Sequence, residues 1–288
     1  LQKKFSGLAE KAKGDQAFFE VVQAFSQSIP DGHANISLNP DVFYQEYGGG
    51  FGLLLTELSD GTVIVTEVLA DMPAEQASIR PGAQIITWNQ KPISEAISEV
   101  IPGFGPSSTQ HTHRLAQTSF LTRTSPQSEV TVSFINPNDT KKRESKLKTI
   151  AEYETVFRLL NVFNDDQLAL PIEGSVLDES GLGYIRLTTF SDDYQLMARL
   201  WEHYLASLQE ERIPGVIIDL RNNSGGSLGL ALDFAGFFFD EEFPLYQSAY
   251  YSHQSGQFEY TREPAKIQPA PLVYDGEIAV LIGPDCVS

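Results

Sequence analysis

The chain has 288 residues, 41% of them hydrophobic, with 20 basic against 38 acidic side chains and a net charge of −18. That length suits about two domains, and the charge argues against nucleic acid and anionic membrane surfaces, which both call for a basic face. No apolar run approaches the roughly 20 residues of a membrane-spanning helix, and the single cysteine, Cys286, excludes an internal disulfide framework.

Residues 1–41 read as a helical segment. Phe18, Phe19, Val21, Val22 and Phe25 form an apolar band at three-to-four spacing. Pro30-Asp31-Gly32 ends it with turn chemistry, and His33 follows. A lone histidine after a turn is usually structural.

Residues 42–150 read as a second, mainly β domain. Thr62 to Val68 alternates β-branched residues after a Ser59-Asp60-Gly61 turn, as one arm of a hairpin does. Pro73 suits the first turn of a helix. Ile85 to Asn89 supplies a further strand, and Glu129 to Phe134 is expected to be the last. Ile101 to Pro126 is expected to be a long loop. Its His111 and His113 have no third ligand cluster near them in sequence, which leaves the loop reading ahead of a metal pair. Lys141-Lys142-Arg143 reads as a solvated hairpin end.

Residues 151–288 carry a βαβ pattern. Gly181 to Thr189 is a strand, Asp192 to Gln209 an amphipathic helix, and Val216 to Leu220 a strand of β-branched residues suited to a covered sheet. The two strands should be parallel with a right-handed crossover. Asn222 to Gly226 then turns the chain into an apolar helix over Leu228 to Phe239. At the carboxyl end of a strand, Gly225 and Gly226 leave backbone N–H groups able to hold a negatively charged oxygen. A plain strand-to-helix connection is the competing reading. Leu245 to Tyr251 and Gln257 to Thr261 suggest a β-hairpin with His253 at its tip, and Ile278 to Ile282 returns to the sheet. His203, in mid-helix, and His253 are assigned no role.

Three stretches, in order, resemble the core of the C-terminal processing (tail-specific) serine peptidases: GYIRLTTF from Gly183, GVIIDLRNNSGG from Gly215 and IAVLIGPDCVS from Ile278. The resemblance spans residues 183–288 and implies that Ser288, closing Cys286-Val287-Ser288, is the nucleophile. It implies an oxyanion site at the N–H of Gly225 or Gly226 and a lysine base on a later segment. No lysine follows Lys266, so the expected Ser–Lys dyad would be completed outside these residues. The related tricorn-type peptidases take a histidine from the region matching Asp31-Gly32-His33, which makes His33 the rival base.

Gly50-Phe51-Gly52-Leu53 resembles the carboxylate loop of PDZ domains, and Met72 to Gly82 resembles a PDZ stretch of bacterial proteases. Ser78 and Ala83 depart from the usual glycine and aspartate there. In such a loop, successive backbone N–H groups capture a terminal carboxylate while the peptide adds as an extra strand.

The expected fold is therefore an α/β core of the ClpP/crotonase-like βαβ type with an inserted mainly β PDZ domain and an N-terminal helical segment. The expected divisions are 1–41, 42–150 and 151–288. The expected function is a serine endopeptidase acting on protein or peptide substrates with free C-termini, without metal or cofactor. The resemblance implies a periplasmic, cell-envelope or secreted location. The alternative is a catalytically silent relative that binds peptides or hydrophobic ligands, as the interphotoreceptor retinoid-binding proteins do.

Overall fold

Helices α1 (Gln2–Ala9) and α2 (Asp15–Gln27) grow from the apolar band at the start of the chain and pack on each other, Phe5 meeting Phe25 edge-to-face at 5.3 Å. The computed structural model describes residues 1–34, 40–103, 105–159, 170–221, 223–283 and 286. By contacts the chain divides into two units, residues 1–164 and 165–288.

After α2 the first unit runs α3 (Pro40–Tyr47), β1 (Gly49–Gly50), β2 (Leu53–Glu57), β3 (Val63–Val68), α4 (Pro73–Gln76), β4 (Gln84–Trp88), β5 (Lys91–Pro92) and α5 (Ile93–Ser98). It continues with α6 (Gln110–Phe120), β6 (Arg123–Thr124), β7 (Glu129–Ile135), β8 (Arg143–Lys148), β9 (Ile150–Ala151) and α7 (Glu154–Leu159). An antiparallel sheet has the order β2-β3-β4-β7-β8, with β5 paired to β4. Alternation along these strands sends Leu53, Val63, Val65, Ile85, Val132 and Phe134 into one core, where each is almost wholly buried. A small sheet, β6-β1-β9, closes the domain. Beneath it lies a buried ion pair between Arg123 and Glu152, backed by Arg123 Nη1 donating to Thr155 Oγ1 at 2.7 Å. Burying two charges is tolerated because every donor of the guanidinium finds an acceptor, Tyr47 O and Glu152 O included.

Two expectations fail in this unit. The stretch 101–126 is not a loop: it contains α6, started by a capping box in which Thr109 and Thr112 satisfy each other's backbone N–H. The polar run Gln110-His111-Thr112-His113-Arg114 hides that helix, because only Gln117, Thr118 and Phe120 are buried. His111 and His113, two apart on a helix, do not share a face. Nor is β7 the last strand, since β8 pairs along its length from Glu129↔Lys148 to Phe134↔Arg143. Its composition, Arg-Glu-Ser-Lys-Leu-Lys, is that of an edge strand with one face in water.

The second unit begins with β10 (Ile172–Val176), β11 (Gly183–Leu187), α8 (Tyr194–Glu210), β12 (Gly215–Asp219) and α9 (Leu228–Ala235). It continues with β13 (Phe243–Tyr246), β14 (Ala249–Ser252), β15 (Gln257–Tyr260), β16 (Ala265–Ile267) and β17 (Glu277–Leu281). The sheet order is β10-β11-β12-β17, with β11, β12 and β17 parallel and β10 antiparallel at one edge. Helix α8 starts on the Asp193 side chain, which accepts from Leu196 N at 2.8 Å. It lays Met197, Trp201, Leu205 and Leu208 against the sheet. Trp201 stacks on Phe234 of α9 with centroids 4.6 Å apart.

Two expectations are corrected here, and one strand lies outside them. The apolar run after the glycine turn does not stay α-helical to Phe239: α9 ends at Ala235 and residues Gly236–Phe238 tighten into a 3₁₀ turn. The stretch from Leu245 to Thr261 is not one simple hairpin. It is a two-tier arm in which β14 pairs with β15 and, nearer the core, β13 pairs with β16. Strand β10 went unread, because Glu173-Gly174-Ser175 has too little apolar alternation. Gly174 is there because a Cβ would fall 2.3 Å from the Tyr204 ring.

Candidate active site

The glycine turn is shaped by hydrogen bonds. After β12, Asn223 is buried and spans two elements. Its Nδ2 donates to Leu187 O at the end of β11, at 3.1 Å, and its Oδ1 accepts from Gly225 N at 2.8 Å. Beyond β11 the chain crosses the turn again: Phe190 N donates to Gly225 O at 2.8 Å and Ser227 N to Phe190 O at 2.9 Å. In this parallel bridge Gly226 lies against Phe190 while its own N–H points away from it. No hydrogen-bond partner of Gly226 N–H is found among the described residues. Gly225 has φ +103° and Gly226 φ +141°. A Cβ on Gly226 would lie 2.3 Å from Ser191 Oγ and 2.4 Å from Phe190 C, so only glycine fits. Ser227 then caps α9 through Leu230 N.

The tail of the unit closes onto the same place. Leu220 N donates to Leu281 O at 2.8 Å, extending the β12–β17 ladder. The chain then folds back: Cys286 N donates to Gly283 O at 3.2 Å, and Cys286 Sγ donates to Leu220 O at 2.7 Å. A Cβ on Gly283 would sit 2.3 Å from Arg221 O. The segment that leads into Ser288 is thus pressed onto the two residues that open the glycine turn. Ser288 itself lies outside the described residues.

Beside the turn, Asp219 is buried and clamped. Arg221 reaches it through Nε at 2.9 and 3.1 Å and Nη2 at 2.7 Å, and Tyr184 Oη donates to it at 2.6 Å. The Arg221 hydrogen bonds, opposed by burial and aided by Tyr184, hold this carboxyl well below the usual carboxylate range. These residues, with Arg186, Leu187 and Thr188, line a polar cleft of about 380 Å³.

The glycine loop of the first unit is shaped by packing instead. Gly50 is the middle strand residue between Arg123 and Ile150, and a Cβ there would strike Glu152 Oε1 at 1.7 Å. Phe51 is buried edge-on to Trp88 at 5.5 Å. Gly52 has φ +70°, and a Cβ would meet Met72 at 2.2 Å. Leu69 N donates to Gly52 O at 2.8 Å, which makes Leu53–Val68 a pair whose own N–H groups point away from each other. Leu53 N–H therefore faces the open side of β2, an edge strand. Helix α6 flanks that strand, tied to it by Arg114, whose Nε and Nη2 donate to Glu57 at 2.6 and 2.9 Å.

His33 is exposed in the first unit, its Nδ1 2.8 Å from Asp31 Oδ1. Among the described residues, Gly225 and Gly226 share the turn held by Asn223 and Phe190, Cys286 is brought onto Leu220 just before that turn, and Gly50 to Leu53 lie together in the first unit. Asn223 was missed as a site residue. Its signal was available, since an Asx residue two before a glycine is a turn former whose side chain reaches the backbone two residues on. Among the described residues no group of three or more His, Cys, Asp or Glu is placed to hold a metal ion, and no helix is long and apolar enough to cross a membrane.

Residues 181–288 match Peptidase family S41 and residues 42–101 match the PDZ domain. The carboxyl-terminal-processing protease of Synechocystis sp. is 30% identical over 210 residues, which make up 71% of this chain and 40% of that protein. The chain thus spans well under half the length of that curated relative. Mature CPAF complexed with lactacystin shares the fold with a TM-score of 0.59 at 14% identity, over 93% of this chain and 69% of that one. A second structure of mature CPAF gives 0.58 at 14% identity, over 93% and 68%.

Proposed function

We propose that this chain, whose residues 181–288 belong to peptidase family S41 and whose residues 42–101 are a PDZ domain, works as a serine endopeptidase of the C-terminal processing type. The observation that carries the reading is the fold-back at Cys286. It presses the segment leading to Ser288 onto Leu220 and Arg221, where the glycine turn begins. In this reading Ser288 Oγ attacks the scissile carbonyl, and Gly226 N–H donates to the oxyanion. Gly225 N–H is already committed to Asn223, so its part is to fix the turn. One such donor is worth roughly 3 kcal/mol of transition-state stabilisation. The base is a lysine outside these residues. His33 is structural: its ring pairs with Asp31 at an exposed turn.

Substrates are proteins and peptides with a free C-terminus. Leu53 N–H and the open edge of β2 support capture of a terminal carboxylate with the peptide added as a strand. A periplasmic, cell-envelope or secreted location belongs to the same reading.

The test is labelling of the full-length protein with a fluorophosphonate, beside hydrolysis of an unstructured polypeptide. Labelling and turnover that are both lost in Ser288→Ala support the reading. Undiminished turnover in that variant overturns it. Absence of labelling in the parent protein would favour a catalytically silent peptide binder. A His33→Gln variant that melts normally yet has no turnover would move the base to His33.

A further inference from the structure

We propose that the two-tier arm from Phe243 to Ile267 is a self-association surface, whose occupant is the same arm of a second copy of this chain. Its outer half is a two-stranded ribbon, β14 with β15, to which no further strand is paired among the described residues. An isolated two-stranded hairpin is marginal in water and gains independent stability from further strands or a covered apolar face. Register settles which side is apolar. Tyr251 pairs with Phe258 and Ala249 with Tyr260, so these four share one face, while Tyr250, Glu259, Ser252 and Gln257 share the other. The apolar face is bare, with Phe258 and Tyr260 each 67% exposed.

Area and charge both favour a second copy as the cover. To the three rings of the apolar face the inner tier adds Phe243 and Tyr246, five exposed rings in all, while Tyr250 lies on the other face of the ribbon. At about 200 Å² per ring when fully covered, and a little over half exposed, they offer on the order of 500 Å² per copy. That is more than half of the about 800 Å² per partner of a standard interface. The chain as a whole bears a net charge of −18, which opposes the approach of two copies. Residues 243–262 hold only Glu259 and Arg262 as formal charges, a net of zero. Glu259 is also engaged on its own arm, by Ser255 Oγ at 2.7 Å and Tyr250 Oη at 3.2 Å. A two-fold contact of this face with itself is isologous and closes at a dimer.

The experiment is sedimentation velocity of the unmodified chain across a hundredfold range of concentration, beside the double variant Phe258→Glu, Tyr260→Glu. A concentration-dependent dimer whose dissociation constant rises on the order of tenfold or more in the variant supports the proposal. A parent chain that stays monomeric throughout, or a dimer unchanged by the variant, overturns it. A variant that stays like the parent in mass but loses binding of an unstructured polypeptide also overturns it, assigning the face to substrate. Hydrogen exchange of the unmodified chain needs no variant: amides of residues 249–260 must lose protection on dilution, and protection that ignores concentration counts against the second copy.

Discussion

The molecule has two glycine loops, each read from the sequence as a place to hold a negatively charged oxygen, and they reach that state by opposite means. The loop at Gly50 to Leu53 is moulded by packing: Glu152 beneath Gly50, Trp88 against Phe51, and Met72 against Gly52 leave one backbone path. The turn at Gly225 and Gly226 is held by polar bonds, from Asn223 on one side and Phe190 on the other. Packing is indifferent to what the backbone N–H does next, so Leu53 N–H can point outward on an open edge. Hydrogen bonding consumes donors as it shapes, so one of the two glycine N–H groups is used to secure the other. A packed loop should answer to changes of volume, and a bonded turn to changes of partner.

The largest effect expected is on Gly226→Ala, which places a Cβ 2.3 Å from Ser191 Oγ at a φ that alanine avoids. If Gly226 N–H is the oxyanion donor proposed above, turnover of the full-length protein should fall by about a hundredfold or more. Measured kcat unchanged in that variant would break the assignment of Gly226. Next is Gly52→Ala, with a Cβ 2.2 Å from Met72 and φ +70°. It should cost about 2–3 kcal/mol in unfolding free energy and weaken capture of free-acid peptides over amidated ones. Gly61 is the control: its φ is +83° but nothing lies within 4 Å of a Cβ, so Gly61→Ala should cost only about 1 kcal/mol. Equal losses at the two positions would show that conformation, not packing, sets the first loop. Asn223→Ala should then cost about 2 kcal/mol, since it strands Leu187 O and Gly225 N–H in a buried turn. Chemical denaturation of the second unit reads this directly.

The smallest effect concerns Asp219. Its carboxyl is held low, foremost by Arg221, so its contribution to stability is complete above the unfolded carboxylate range near pH 4, roughly, and drains as pH falls toward the folded value. Asp219→Asn should therefore be less stable than the parent at neutral pH, and the gap between their urea midpoints should narrow steadily as pH falls below about 4. A gap that stays constant with pH would mean that the clamp is not charge-dependent.

Most of what placed these loops was readable from residues. Val216-Ile217-Ile218 announces a covered strand, and the strand is central in the sheet. Gly52 and Gly226 sit where a side chain has no room. What escaped reading had a physical cause in each case. Helix α6 is polar overall and buries Gln117 and Thr118 beside Phe120, so few apolar residues mark its inner face and its capping box is the clearer signal. Strand β10 is short and interrupted by a glycine fitted to Tyr204. The bond from Asn223 to Leu187 joins positions far apart in sequence, and no local pattern encodes it.

The parallel pairing of β17 with β12 also sets an order of assembly. Strand β11 reaches β12 across a single helix, a short closure that is made early. Strand β17 must wait for α9 and the whole arm to be laid down, from Leu220 to Gly276, before Glu277 can find Gly215. The entropy of closing that longer loop comes due before any of its contacts form. A chain that has folded only as far as β12 thus owns its glycine turn but not the fold-back at Cys286. Such an intermediate lacks the contact that brings the end of the sheet onto Leu220 and Arg221.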